Sequence, residues 1–93
     1  MLNFTGRTLS GFMHFMSSCV EAVHRDVNYH KQDQVDKHIS DIDKLAKEVP
    51  DWSNWFPSRD DMSATLDRLR WSRKNTLERA REARKEDKRH QVA

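Results

Sequence analysis

Residues that break helices are what this 93-residue chain has least of. It holds two glycines, Gly6 and Gly11, and two prolines, Pro50 and Pro57. Sheet proteins need turn residues every ~8–12 positions, so this scarcity excludes an all-β architecture and makes helix the default. Cysteine is nearly absent as well: Cys19 stands alone, which excludes an intrachain disulfide and suits a reducing compartment. Long apolar runs are also missing. The stretch Leu9–Val23 is interrupted by His14, Ser17, Ser18 and Glu21 and falls short of the ~20 apolar residues of a membrane span. The expectation is a soluble, cytoplasmic chain with no membrane partner.

Charge is abundant. Charged residues make up 34% of the chain against 35% hydrophobic, so the core of a single helical domain over 1–93 must be thin. A chain of this size buries only roughly 60–65% of its unfolded surface, and elongated helical proteins with thin cores are often completed by a second copy or a partner. The charges are unevenly spread. Residues 1–57 carry six Lys/Arg and eight Asp/Glu, whereas residues 58–93 carry eleven and seven. An acidic first arm therefore precedes a basic second one, an imbalance that steers association.

The two prolines bracket Asp51-Trp52-Ser53-Asn54-Trp55-Phe56. Proline cannot continue a helix interior, so the segment 50–57 is a joint between two arms. In the first arm, about 8–49, Leu9, Phe12, Met13, Met16, Val20, Val23 and Val27 step by three and four and share one helical face. The stripe weakens over Asn28–Gln34 and resumes at Val35, Ile39, Ile42, Leu45, Ala46 and Val49. The eight-residue step from Val27 to Val35 reads either as a slip in winding along one helix or as a turn that makes a three-helix bundle. No Gly or Pro marks a turn there, which favours the continuous helix. The second arm, about 58–89, opens with Ser58 at a capping position and Asp61 at capping-box spacing. Met62, Leu66, Leu69, Arg73, Thr76, Ala80 and Ala83 then follow a seven-residue repeat. Closely spaced pairs such as Glu78 with Arg81 and Glu82 with Lys85 support the polar end as helix.

The fold class expected is thus all-α: an antiparallel hairpin of two long helices, or a three-helix bundle if the first breaks near 28–34. At ~1.5 Å per residue the arms span roughly 60 and 48 Å. A hairpin closed at the joint would leave Phe4, Leu9, Phe12, Met13 and Phe15 without a neighbour in the chain, a patch too apolar for water and hence a candidate interface. Charge agrees with an antiparallel seam: Asp33, Asp36, Asp41, Asp43 and Glu48 face Arg68, Arg70, Arg73 and Lys74.

Chemistry-bearing constellations are weak. Asp26 with His30 and Gln34 with His38 each share a helix face, but zinc needs three or four converging ligands, and Cys19 is not at ligand spacing from any histidine. Beside the apolar stripe, Cys19 reads as a buried thiol. There is no phosphate loop and no nucleophile–base set, so no enzyme activity, cofactor, metal or small-molecule substrate is implied. Two surfaces remain. The apolar stripe and joint, Phe4, Leu9, Phe12, Met13, Phe15, Met16, Trp52, Trp55 and Phe56, form a candidate protein-binding surface, since tryptophan is favoured at interface hot spots. The basic arm is the alternative. There Arg68, Arg70, Arg73, Lys74, Arg79, Arg81, Arg84, Lys85, Lys88 and Arg89 could track a phosphate backbone, with Trp71 stacking on a base.

Size, composition and the lack of a catalytic set resemble those of the small accessory or inhibitor proteins that phages and mobile elements encode. That resemblance implies a non-enzymatic module that binds a host or virion protein, in the host cytoplasm, by occlusion or helix mimicry. The partner would be another protein, a second copy of the chain, or both. The alternatives are a nucleic-acid-binding protein and a structural assembly or scaffold component.

Overall fold

A computed structural model describes residues 9–92 of the chain. Those residues are all-helical, in three α-helices: α1 (Leu9–His24), α2 (Gln32–Glu48) and α3 (Arg59–Val92), with a 3₁₀ helix at Val49–Trp55 between the last two. The continuous first arm is therefore corrected to two helices, as in the bundle alternative. Among the described residues no helix is long and apolar enough to cross a membrane.

The break lies between His24 and Gln32, and it needs neither glycine nor proline. Asn28 Oδ1 accepts a hydrogen bond from the His30 backbone N–H at 3.0 Å, and the Lys31 N–H donates to the Asn28 carbonyl at 3.1 Å. An asparagine side chain that binds the backbone two residues on imitates a turn and competes with the helix. Gln34 reinforces it, with Oε1 accepting from the Asn28 N–H at 3.3 Å. The eight-residue step between Val27 and Val35 is thus a change of direction. Both valines are buried together with Ala80 of α3.

At the joint the Val49 N–H still donates to the Leu45 carbonyl, and Pro50, with no N–H to continue that ladder, passes the chain into the 3₁₀ helix. Phe56 is extended, and Ser58 then starts α3. The Asp61 N–H donates to Ser58 Oγ at 3.2 Å, while that hydroxyl donates to Asp61 Oδ2 at 3.0 Å. One leg of a capping box forms. The short Asp61 carboxylate takes the serine hydroxyl.

Because α1 folds back, it packs with the joint and with α3. Phe15, Cys19 and Ala22 of α1, Ile42 and Val49, and Phe56 and Leu69 form one buried cluster. The core stripe of α1 is therefore rotated from the expected one: Met13 and Val20 face outward at 59% and 47% exposure. On α3, Ser72 takes a buried position in the seam, and Arg73 turns out to meet Asp43 of α2 at 3.0 Å. Arg84 donates to Gln32 and His30 reaches Asp87 at 3.0 Å, so α2 and its preceding turn run antiparallel to α3. Of the charge pairs expected along α3, Glu82 meets Lys85 at 3.8 Å, and Glu78 meets Lys74 at 3.9 Å in place of Arg81.

Between the two apolar clusters lies a polar layer. Val35 and Ala80 belong to one cluster and Ile42 and Leu69 to the other, so His38 on α2 and Ser72 and Thr76 on α3 fall between the two along their helices. All three are buried.

Candidate functional site

Most of the sequence-derived protein-binding residues meet one another. Phe15 stacks on Trp52 with ring centroids 5.1 Å apart. Phe12 stacks on Trp55 at 6.2 Å and meets Phe56 edge-on at 5.8 Å. The expected overhang of Phe12 and Phe15 beyond a hairpin is thereby corrected, since the joint itself is their neighbour. Phe15 and Phe56 are buried, Phe12, Met16, Trp52 and Trp55 are half-buried, and Met13 is exposed. Phe4 and the Leu9 side chain lie outside the described residues.

Beside this cluster, apolar surface stays open to water. A groove of about 300 Å³ runs between α1 and α3. Met16, Cys19, Val20 and Val23 form one wall and floor; Ala64, Thr65, Arg68 and Leu69 form the other, with Pro57 and Asp61 at the end nearest the joint. Thr65 Oγ1 donates to the Asp61 carbonyl at 3.1 Å, so its polar atom is satisfied within its own helix. Arg68 is exposed and makes no hydrogen bond or ion pair among the described residues. Trp71, seven residues after Ala64, continues the outward side of α3 and is 60% exposed. The groove is apolar in its depth, with one acid and one base on its rim.

Cys19 lies in the floor. Burial, with the Glu48 carboxylate adding, pushes its thiol up to about 11. A thiol held protonated at neutral pH is a small apolar side chain and a poor nucleophile. His38 is 2% exposed, and its Nδ1 has no hydrogen-bond partner among the described residues. Burial, helped by the positive charge of Arg25 and opposed by Asp41, holds its pKa below the ordinary histidine value. Arg25 and Asp41 bond to each other. Among the described residues no three His, Cys, Asp or Glu side chains gather as a metal site would require.

The basic residues of α3 divide. Arg70, Lys74, Arg81, Lys85 and Lys88 recur at helical spacing along one outward face. Arg73 and Arg84 lean on α2 through Asp43 and Gln32. Three of the outward bases meet acids on the same helix: Arg70 with Asp67 at 3.3 Å, and Lys74 and Lys85 with Glu78 and Glu82. Arg79 and Trp71 lie off that face.

Sequence reasoning missed the groove. Its signals were there in the small Ala64 and Thr65, flanked by Asp61 and Arg68, and in the outward spacing of Met13 and Val20. No known protein family, curated protein or solved structure matches the chain.

Proposed function

We propose that the protein is a non-enzymatic binding module that docks another polypeptide in the groove between α1 and α3. The observation that carries this reading is the apolar surface left open there, the groove itself with Val20 on its wall; Trp71, exposed two turns beyond Ala64 on α3, adds to it. Contiguous exposed apolar surface is a usual mark of an interaction site, and tryptophan is favoured where binding energy concentrates. The polar rim, Asp61 and Arg68, supplies orientation. Catalysis has no part in the reading, because the groove holds no nucleophile beside a base and Cys19 is protonated. An accessory or inhibitor role by occlusion or helix mimicry fits such a surface, and the lone cysteine fits the cytoplasm.

The experiment is affinity capture from the protein's source cells with three baits: the native chain, Val20→Asp, and Lys85→Glu on the outward basic face. The reading expects a partner retained by the native chain and by Lys85→Glu and lost with Val20→Asp at unchanged helical content. Equal capture by all three would remove the groove from the interaction.

A further inference from the structure

The α3 wall of the groove carries an acid and a base in a self-complementary arrangement. Asp61 and Arg68 lie seven residues apart, both on the groove side of α3, with Ala64 and Thr65 midway between them. Two such helices laid antiparallel about a two-fold axis at Ala64–Thr65 bring each Asp61 level with the other's Arg68, roughly 5 Å along the axis on either side of the crossing. The two ion pairs then form together, as an isologous interface requires: what one copy offers at one position it receives at the other.

The small side chains sit where they are needed. Ala64 lies at the crossing, and helix axes approach to about 8 Å only where the contact residues are small. Trp71, largely exposed, falls level with the partner's Pro57 and Ser58, at the end of the groove that Pro57 lines. Val20, exposed on the opposite wall, flanks the incoming helix. Three features of the α3 face find a counterpart on an identical face: the acid with the base, the tryptophan with the proline, the small residues with each other.

We infer that the occupant of the α1–α3 groove is the α3 helix of a second copy, in a two-fold dimer held by reciprocal Asp61–Arg68 pairs and by Trp71. This rests on the reading of the groove as a docking surface and names its partner.

Light scattering coupled to gel filtration on the native chain, Asp61→Arg, Arg68→Asp and the double variant tests it. The native chain is expected at twice the 11.1 kDa of one chain. Each single variant sets like charges against each other at both ends of the crossing, and the expected result is the mass of one chain. The double variant restores both pairs with signs exchanged and regains the dimer. Helical content by circular dichroism accompanies each mass. Asp61 also touches the Ser58 cap, so Trp71→Ala, at an exposed position, serves as the dissociating variant that leaves the fold intact. A native chain of single mass at ~1 mM, a concentration that reveals even a millimolar association, would overturn the proposal, as would a dimer that persists in both single variants and in Trp71→Ala. The groove as a site for a different protein survives a single-mass result, because the capture experiment with Val20→Asp reads it separately.

Discussion

Phe15 of α1 lies flat against Trp52 of the joint, 5.1 Å between ring centroids with the planes 12° apart. This one stack joins the two surfaces that the sequence presents as separate, the apolar stripe and the aromatic joint. It depends on the turn at Asn28, because a folded-back α1 delivers Phe15 to Trp52. The stripe that closes the core shares Met16, Cys19 and Val23 with the groove, and Val20 extends it outward.

Replacing Phe15 by Ala removes a buried ring from the main cluster. Phe→Ala in a core costs ~3–5 kcal/mol, and in a domain of this size each kcal/mol moves Tm by roughly 4–8 °C. A fall in Tm of at least ~12 °C is expected, with Trp52 fluorescence shifting toward that of a hydrated indole. Met13→Ala, on the exposed side of the same helix, is expected to stay within ~0.5 kcal/mol of the native chain. Comparable effects at the two positions in a thermal melt would contradict the assignment of faces.

Asn28→Ala gives a test of sign. In the bundle the substitution removes the side-chain acceptor of the His30 N–H and lowers stability by ~1 kcal/mol. Were the first arm a continuous helix, the same change would raise stability, because Ala is the better helix former by up to ~0.7 kcal/mol. Urea unfolding of the two chains reads the direction.

The limits of sequence reasoning show in particular residues. The helical class was legible from the scarcity of Gly and Pro, the start of α3 from Ser58 and Asp61, and the burial of Cys19 from its place beside the stripe. The turn was not, because Asn28 acts through a side-chain hydrogen bond that composition does not reveal. Ser72 was missed because the seam was traced through Arg73, whereas the small serine is the buried residue, with its Oγ donating to the Ala22 carbonyl of α1 at 3.5 Å. The groove needed α1 in place beside α3, and that placement depends on the turn.

Stability should fall in mild acid through His38. Its pKa in the folded chain lies below the ordinary 6.5, so between that lowered value and 6.5 the folded chain binds less of a proton here than the unfolded chain does. The contribution is fully present above about 6.5 and is lost as pH falls toward the folded value, with a slope of at most ~1.4 kcal/mol per pH unit from this one group. Arg25 and Asp41 are the charges acting on it. His38→Leu removes the buried polar nitrogen and is expected to flatten this part of the profile, at little or no loss near neutral pH. Urea midpoints for both chains between about pH 7.5 and pH 5 check it; parallel profiles would remove His38 from the acid response.

The basic arm makes a counter-prediction. With Arg70, Lys74 and Lys85 paired to acids on the same helix and Arg73 held by Asp43, no shift of a single-stranded oligonucleotide is expected even at ~50 mM salt, where phosphate contacts are strongest. A shift that disappears at ~200 mM salt and on replacing Arg79, Arg81 and Arg84 by Gln would transfer the function to α3's basic residues.

The most direct test of the groove and its occupant is a cysteine placed on the axis. Ala64→Cys puts a thiol beside its own copy, within reach of the ~4.4–6.8 Å Cα separation that a disulfide requires, while Cys19, buried and protonated, stays out of the exchange. Under mild oxidation this variant is expected to convert rapidly to a covalent dimer, and Lys74→Cys, on the outward basic face, to convert slowly or not at all. Equal rates for the two, or no cross-link through position 64 at any protein concentration, would contradict a dimer closed across α3.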